Sequence, residues 1–218
     1  MGPYSHFSLA VKLEPLLQPD DHPAYLWGAV VPDIRYLANL PRTHTHLDLD
    51  RIQQFTVRYP HLRSFLSGYQ VHLLVDQIDV SQTVGAAFPL NLLRKVLRKG
   101  ISPQQMTMMV ELYFLQRGGA QAPLSGENNE VLCELSISTE QNAVFHQALQ
   151  EYFENRSFEA AVSAFQKIGM IENGRLETYL NAYRTMQKRK VLTGLIMLSI
   201  KNARLESKVI EHVRTSLQ

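Results

Sequence analysis

Apolar side chains recur at helical spacing along almost the whole chain. Intervals of three and four residues dominate, whereas the alternation of apolar and polar residues that is typical of a strand is brief. The best alternating stretch, VLCELSIS at residues 131–138, fits a segment that links two helices equally well. The pattern therefore predicts an all-α fold.

The first half of the chain contains the clearest predicted elements. One helix is expected at residues 5–17. A second begins near Pro23, a favoured residue of the first helical turn, and ends before Pro32, because proline disfavours helical geometry in the residue ahead of it. Residues 31–48 are predicted to form a long irregular connection, and such loops are often functional or held by a ligand. The helix predicted at residues 60–79 carries an apolar stripe and is expected to be central. Further helices are predicted at residues 89–99, 102–116, 140–154, 157–167 and 173–200, followed by a charged helix at the end.

Composition limits the classes of protein to consider. The chain has 218 residues, of which 45% are hydrophobic and 19% charged, as expected for one globular domain. A net charge of +2 is too small to indicate nucleic-acid binding by bulk electrostatics. The single cysteine, Cys133, cannot form an internal disulfide, and the N-terminal residues lack the pattern of a signal peptide. These features predict a cytoplasmic protein.

The central helix places two metal-ligand residue types on one face. His72 and Asp76 are four residues apart in HLLVD, so their side chains project about one turn apart. An ionised Asp76 among leucine and valine neighbours requires a cation or strong hydrogen bonds to compensate its charge. A metal ion is one interpretation, and a histidine donating to its neighbouring carboxylate is the other.

Other ligand types lie nearby in the sequence. His6 is on the first predicted helix, Asp33 directly follows Pro32, and His44 and His46 stand in the segment RTHTH. Zinc accepts imidazole nitrogen and carboxylate oxygen, and a catalytic zinc site keeps one position open for water. Taken one at a time, these residues also fit a turn cap, a surface loop or a helix start.

Four motifs occur in order within the first 80 residues or so: HFSLA at His6, GAVVPDIRYL around Asp33, LPRTHTHL around His46, and FLSGYQVHLLVD ending at Asp76. Together they resemble the zinc-dependent phospholipase C family, an all-helical group related to the P1-type nucleases. The resemblance implies a multi-helical phospholipase C/P1 nuclease-like bundle. It also implies that Asp33, His46, His72 and Asp76 hold one zinc ion, while Asp76 and His6 help to hold a second. His44 is the alternative to His46.

The chain departs from the family pattern in two places. Secreted members use an N-terminal tryptophan as a ligand, whereas this chain begins with Met1. They also bind a further zinc through two later histidines and a glutamate in an HxxxE arrangement. Here only His146 and His212 follow Asp76, and Gln150 stands four residues after His146. The resemblance therefore implies a reduced site with one or two ions, of zinc or of another divalent metal such as manganese or iron.

These expectations divide the single helical domain, residues 1–218, into a metal-binding helical core at 1–117, a polar linker at 118–130 and a helical C-terminal part at 131–218. The function expected is hydrolysis of a small phosphoester or a lipid headgroup. Asp33 would orient the attacking water. Arg42, in preference to Arg35, would bind a phosphate oxygen. The alternative is a non-catalytic helical protein that binds a metal or a partner. The basic run at residues 184–190 fits either a solvated helix face or a peripheral contact with acidic lipids.

Overall fold

A computed structural model of the chain describes residues 1–86, 103–118, 124–127, 129–171 and 190–217, with isolated residues between 177 and 188. This part of the chain forms helices and turns and contains no strand, which confirms the all-α prediction. The α-helices are α1 (Pro3–Leu17), α2 (His22–Val30), α3 (Arg35–Ala38), α4 (Arg42–Thr45), α5 (Leu49–Arg58), α6 (Arg63–Asp76), α7 (Val80–Ala86), α8 (Pro103–Arg117), α9 (Glu130–Glu134), α10 (Thr139–Asn155), α11 (Phe158–Lys167), α12 (Lys190–Asn202) and α13 (Leu205–Ser216).

Helices α2 and α6 cross with their backbones in direct contact. A Cβ atom added to Gly28 would lie 2.0 Å from a carbonyl oxygen of α6, and one added to Gly68 would lie 1.8 Å from a carbonyl oxygen of α2. Only glycine permits this approach, because the obstructing atoms belong to backbone that cannot move aside. The crossing fixes His72, one turn after Gly68, against the end of α2 from which Asp33 follows.

The connection at residues 31–48 is not irregular, and that prediction is wrong. It consists of a 3-10 turn (Val31–Ile34) followed by α3 and α4. Asn39 closes α3 in a left-handed conformation with φ of 52°, and the Thr45 hydroxyl donates to the Pro32 carbonyl over 2.8 Å. Elements of four residues are too short to show a helical period in the sequence. Helix α5 was not among the predicted helices, and Asp48 caps its start, since the Asp48 side chain accepts from the Arg51 amide over 2.8 Å.

The central helix is shorter than the predicted range of residues 60–79. It begins with a 3-10 turn at Pro60–Leu62 and continues as α6 to Asp76. Asp79 does not extend it, because its carboxylate accepts a hydrogen bond from the Gln82 amide over 2.9 Å and so caps α7. Asp76 is therefore the last residue of α6, at the C-terminal end of the helix.

The second half of the chain follows the predicted helices closely where it is described. Helices α8, α10 and α11 lie within one residue of their predicted ranges. The segment at 131–138 forms α9 and a turn with Ser136 at φ of 59°, so it links helices and is not a strand. The helix predicted at 89–99 lies outside the described residues. Of the helix predicted at 173–200, only the part from Lys190 onward is described continuously.

The terminal helices return to the first half of the chain. Helix α13 packs against α1 and α6, and α12 packs against α8. Buried apolar residues from both halves form one cluster, with Trp27, Tyr69, Phe114, Phe145 and Tyr152 among its largest members. In the part of the chain that the structure describes, no helix is both long enough and apolar enough to cross a membrane.

Candidate metal centre

Five predicted ligands meet at one place, although they come from four different segments. Helix α1 supplies His6, the 3-10 turn after α2 supplies Asp33, the end of α4 supplies His46, and α6 supplies His72 and Asp76. They form two overlapping groups, one of His6, Asp33 and His72 and the other of His46, His72 and Asp76. Within each group the potential ligand atoms lie within 4.8 Å of one another.

The His72 imidazole is held in one tautomer. Its Nδ1 lies 2.9 Å from the Ala29 carbonyl oxygen, which can only accept, so Nδ1 carries the proton. The ring is fully buried, and this burial lowers the pKa of His72 to about 3 against the opposing effect of Asp76. The ring is therefore neutral at physiological pH, and its Nε2 presents a bare lone pair.

The His46 ring is oriented by its neighbour Thr45. The Thr45 hydroxyl donates its proton to the Pro32 carbonyl, so at 3.2 Å from His46 Nδ1 it can only accept. In the neutral ring Nδ1 is then the donor, and Nε2 presents a lone pair. Helix α4 ends here, because the His46 backbone leaves helical geometry at φ −92° and ψ 79°.

With both rings neutral and protonated at Nδ1, three acceptor atoms face one another. His46 Nε2 lies 3.3 Å from His72 Nε2 and 3.2 Å from Asp76 Oδ2, and His72 Nε2 lies 3.7 Å from the same oxygen. Neutral imidazoles and a carboxylate in this arrangement repel one another unless a cation is shared. A tetrahedral zinc ion with bonds of about 2.0–2.2 Å spaces its ligand atoms roughly 3.3–3.6 Å apart. The residues present therefore fit zinc.

His6 and Asp33 lie beside these three residues. The His6 ring stacks on the His72 ring with centroids 3.9 Å apart, and among the described residues neither of its nitrogens has a hydrogen bond. Its Nε2 is 3.2 Å from Asp76 Oδ1 but is not aligned for one. Burial, helped by the nearby His72, lowers the pKa of His6 to about 4, whereas burial raises the pKa of Asp33. A buried imidazole whose nitrogens have no hydrogen-bonding partner among the described residues is a further sign of a binding site.

Both groups depend on the same atom of His72. Since Nδ1 is committed to the Ala29 carbonyl, His72 offers only Nε2, and one lone pair serves one ion. The arrangement thus favours a single ion at His46, His72 and Asp76, with His6 and Asp33 adjacent. The family resemblance instead implies Asp33 at the first ion, and that division of the ligands stays a prediction.

Asp76 connects the centre to solvent and to two cationic groups. Burial by itself would raise the pKa of this carboxyl, but where the facing nitrogens of His46 and His6 carry protons they hold it well below its usual range. Arg42 Nη2 donates to Oδ2 over 2.5 Å, and the Met1 ammonium lies 3.4 Å from Oδ1. Arg42, predicted as a phosphate-binding residue, therefore stands directly beside the ligands.

A cavity of about 450 Å³ opens onto this centre. Asp33, Asp76 and Arg42 line its polar side, and Tyr36 lies next to them. The apolar part of its lining comes from α8, α11 and the turn after α11, through residues that the sequence did not indicate: Met108, Phe165, Met170 and Ile171. No signal in the sequence links these residues to the motifs, because the contact depends on how distant helices pack.

The predicted ligand His44 does not belong to the centre, and neither does Arg35, the arginine that the sequence did not favour. His44 points elsewhere, with its Nε2 3.0 Å from the Leu135 carbonyl oxygen, so it joins α4 to the turn after α9 and is not a ligand. His44 is still within helix α4, whereas His46 lies beyond its end, and this separates the two side chains. The Arg35 guanidinium stacks 3.8 Å from the centroid of the Tyr36 ring.

Comparison with known proteins adds no family assignment. No protein-family model, no curated protein and no solved structure matches this chain. The functional interpretation therefore rests on the geometry of the centre and on the motif resemblance described above.

Proposed function

We propose that this protein is a metal-dependent hydrolase of phosphoesters, with zinc as the ion that its ligands fit best. The observation that carries the proposal is the meeting of three acceptor atoms, on His46, His72 and Asp76, at the edge of a cavity. A catalytic metal site has about three protein ligands and an open position, whereas a structural site is closed by four. The adjoining cavity supports an open position here.

Arg42 is suited to hold the phosphate. Its guanidinium carries five N–H groups, and its hydrogen bond to Asp76 uses one of its two terminal nitrogens, Nη2. The side chain is half-exposed and lines the cavity, so its other donors can reach a phosphate oxygen. A bound divalent ion would supply Lewis-acid chemistry, polarising a phosphoryl oxygen and activating water.

Asp33 is suited to accept a proton. It lines the same cavity, and its burial raises the pKa of the carboxyl toward the range in which a general base works. The apolar side of the cavity favours a substrate that carries an apolar group next to its phosphate. A phospholipid headgroup with its glycerol backbone and a nucleotide with its base share this chemistry.

Hydrolysis of bis(p-nitrophenyl) phosphate, a general phosphodiester, tests the proposal. The protein is assayed after loading with zinc, manganese or iron, beside His72→Ala and the matched control His44→Ala. We expect kcat/KM to fall on the order of a hundredfold or more in His72→Ala, as for loss of a residue that holds a catalytic metal. His44→Ala should stay within about twofold, since its imidazole contacts Leu135 instead. Loaded wild-type protein that is inactive on diesters and monoesters alike would overturn the proposal.

A second candidate is favoured by one observation. Asp76 already contacts two cationic groups, Arg42 and the Met1 ammonium, so part of its charge is balanced without an ion. The protein would then be a metal-free helical binding protein with a polar core. Metal content separates the two candidates.

In either case we expect the reducing cytoplasm as the compartment, on account of the single cysteine, Cys133.

A further inference from the structure

A second buried carboxylate, Glu111 on α8, has no place in the proposed chemistry. Its side chain is completely buried. It accepts hydrogen bonds from the Tyr4 amide over 2.7 Å, from the Ser5 amide over 2.9 Å and from the Tyr152 hydroxyl over 2.9 Å. The Ser5 hydroxyl is a fourth donor. All four partners are donors, so the carboxylate is fully satisfied by the protein itself.

These bonds give α1 the cap that its own sequence lacks. The residue before the helix is Gly2, which has no side chain to accept from the first N–H groups, and Pro3 has no backbone N–H. The N–H groups of the first turn that need an acceptor outside the helix are those of Tyr4 and Ser5, and Glu111 accepts from both. Its negative charge also lies at the positive end of the helix dipole.

Close packing leaves this first turn little freedom. A Cβ added to Gly2 would lie 2.6 Å from the Glu111 carboxylate, so only glycine fits at that position while the carboxylate keeps its bonds. Pro3 restricts the next backbone angle. The start of α1 is therefore fixed with respect to α8 by the close contact at Gly2 and by the restricted backbone of Pro3.

His6 follows Ser5 directly, and its amide donates to the Gly2 carbonyl over 3.2 Å. Its ring stacks on His72, and among the described residues no hydrogen bond holds either of its nitrogens. The ring is thus placed by its backbone and by stacking, without a polar anchor of its own. Whatever fixes the first turn of α1 also fixes the His6 ring.

We infer that Glu111 is a positioning residue for the metal centre: by capping α1, it sets the place of the His6 imidazole against His72 and Asp76. The inference rests on the proposed metal function. Glu111 also sits one turn after Thr107 and Met108, which line the cavity, and it holds α10 through Tyr152. A single carboxylate thereby ties α1, which carries His6, to the helix that contributes Met108 to the cavity.

Zinc affinity of the full-length protein tests the inference, measured by competition with a chelator under conditions where every variant is folded. Glu111→Gln places an amide NH2 among donors and, by displacing the His6 ring that stacks on His72, should weaken zinc binding on the order of tenfold. Ser5→Ala removes one donor from α1 and should weaken it less, by about threefold. Tyr152→Phe is the matched control, because it removes a donor from the same carboxylate, keeps the ring that packs against Tyr4 and leaves the hydrogen bonds to α1 in place. Zinc affinity should stay within about twofold there.

A second measurement on metal-free protein does not depend on zinc. The ring signals of His6 in two-dimensional NMR spectra should move in Glu111→Gln and stay in place in Tyr152→Phe. Unchanged zinc affinity in Glu111→Gln would overturn the inference, and so would equal weakening by Tyr152→Phe, which would indicate general loosening. If Glu111→Gln does not fold, Ser5→Ala decides by the same criteria. If wild-type protein binds no zinc, the proposed function fails, and the His6 ring signals alone decide whether Glu111 positions it.

Discussion

Two carboxylates in this protein, the buried Glu111 and the largely buried Asp76, have opposite surroundings. Glu111 is met by four hydrogen-bond donors and by no acceptor among its described partners. Asp76 faces the Nε2 atoms of His46 and His72, and its donors are Arg42 and the Met1 ammonium. A carboxylate surrounded by donors stabilises a fold, whereas one grouped with other acceptors needs a cation to offset their mutual repulsion. Burial alone does not separate the two cases, and the nature of the neighbours does.

Acidification should have the largest effect on the free energy of unfolding, through the histidines that surround Asp76. His6 and His72 are buried with pKa values of about 4 and about 3, well below the value of 6.5 in an unfolded chain. Between pH 6.5 and about 4 these two histidines are protonated in the unfolded chain but neutral in the folded chain. The free energy of unfolding therefore falls as the pH falls. Asp33 and Glu111 act in the opposite direction, because burial raises the pKa of each carboxyl.

We expect the free energy of unfolding of metal-free protein to drop by on the order of 3 kcal/mol between pH 6.5 and 4.5. Urea denaturation at a series of pH values measures it. A profile that is flat over this interval would contradict the account of the histidine cluster.

The next largest change in stability is expected when each of the two carboxylates is replaced by its amide. In metal-free protein, Glu111→Gln should lower the free energy of unfolding by about 2 kcal/mol, because its NH2 group faces donors. Asp76→Asn should change it by less than about 1 kcal/mol, since its NH2 group can donate to an imidazole lone pair and offset the lost contact with Arg42. Thermal and urea denaturation provide the values. Equal losses in the two variants would remove the distinction between the carboxylates.

The smallest expected effect on stability is at Arg42. Arg42→Lys keeps the charge but loses the planar fork, so stability should change by less than about 1 kcal/mol for this half-exposed side chain. Binding of inorganic phosphate to the zinc-loaded protein should weaken about tenfold, measured by calorimetry. Arg35→Lys is the control, because the Arg35 guanidinium stacks on Tyr36. Similar phosphate affinity in wild type and Arg42→Lys would exclude Arg42 as the phosphate-binding group.

The sequence predicts the helices and part of the centre for identifiable reasons. Helices such as α8 and α10 span several turns, so their apolar period is visible, whereas α3 and α4 are too short to show one. His72 and Asp76 could be paired because they lie on one helix face. The choice between His44 and His46 stayed open in the sequence, since it depends on the residue at which α4 ends.

Other features depend on distant packing and could not be predicted. The crossing of α2 and α6 requires Gly28 and Gly68 together, and neither glycine indicates its partner. Glu111 lies inside the apolar run MMVELYF, which is a weak signal of a buried carboxylate. Its partners Ser5 and Tyr152 are 106 and 41 residues away along the chain, so the capping contact appears only in the folded protein.

The central claim is that three unprotonated acceptors on His46, His72 and Asp76 bind a cation. Elemental analysis of untagged protein as isolated, beside a His72→Ala plus Asp76→Ala double variant and the control His44→Ala, tests it directly. We expect about one zinc, manganese or iron ion per chain in wild type and in the control, and none in the double variant. Wild-type protein that contains no metal, even after incubation with zinc and removal of excess, would contradict it.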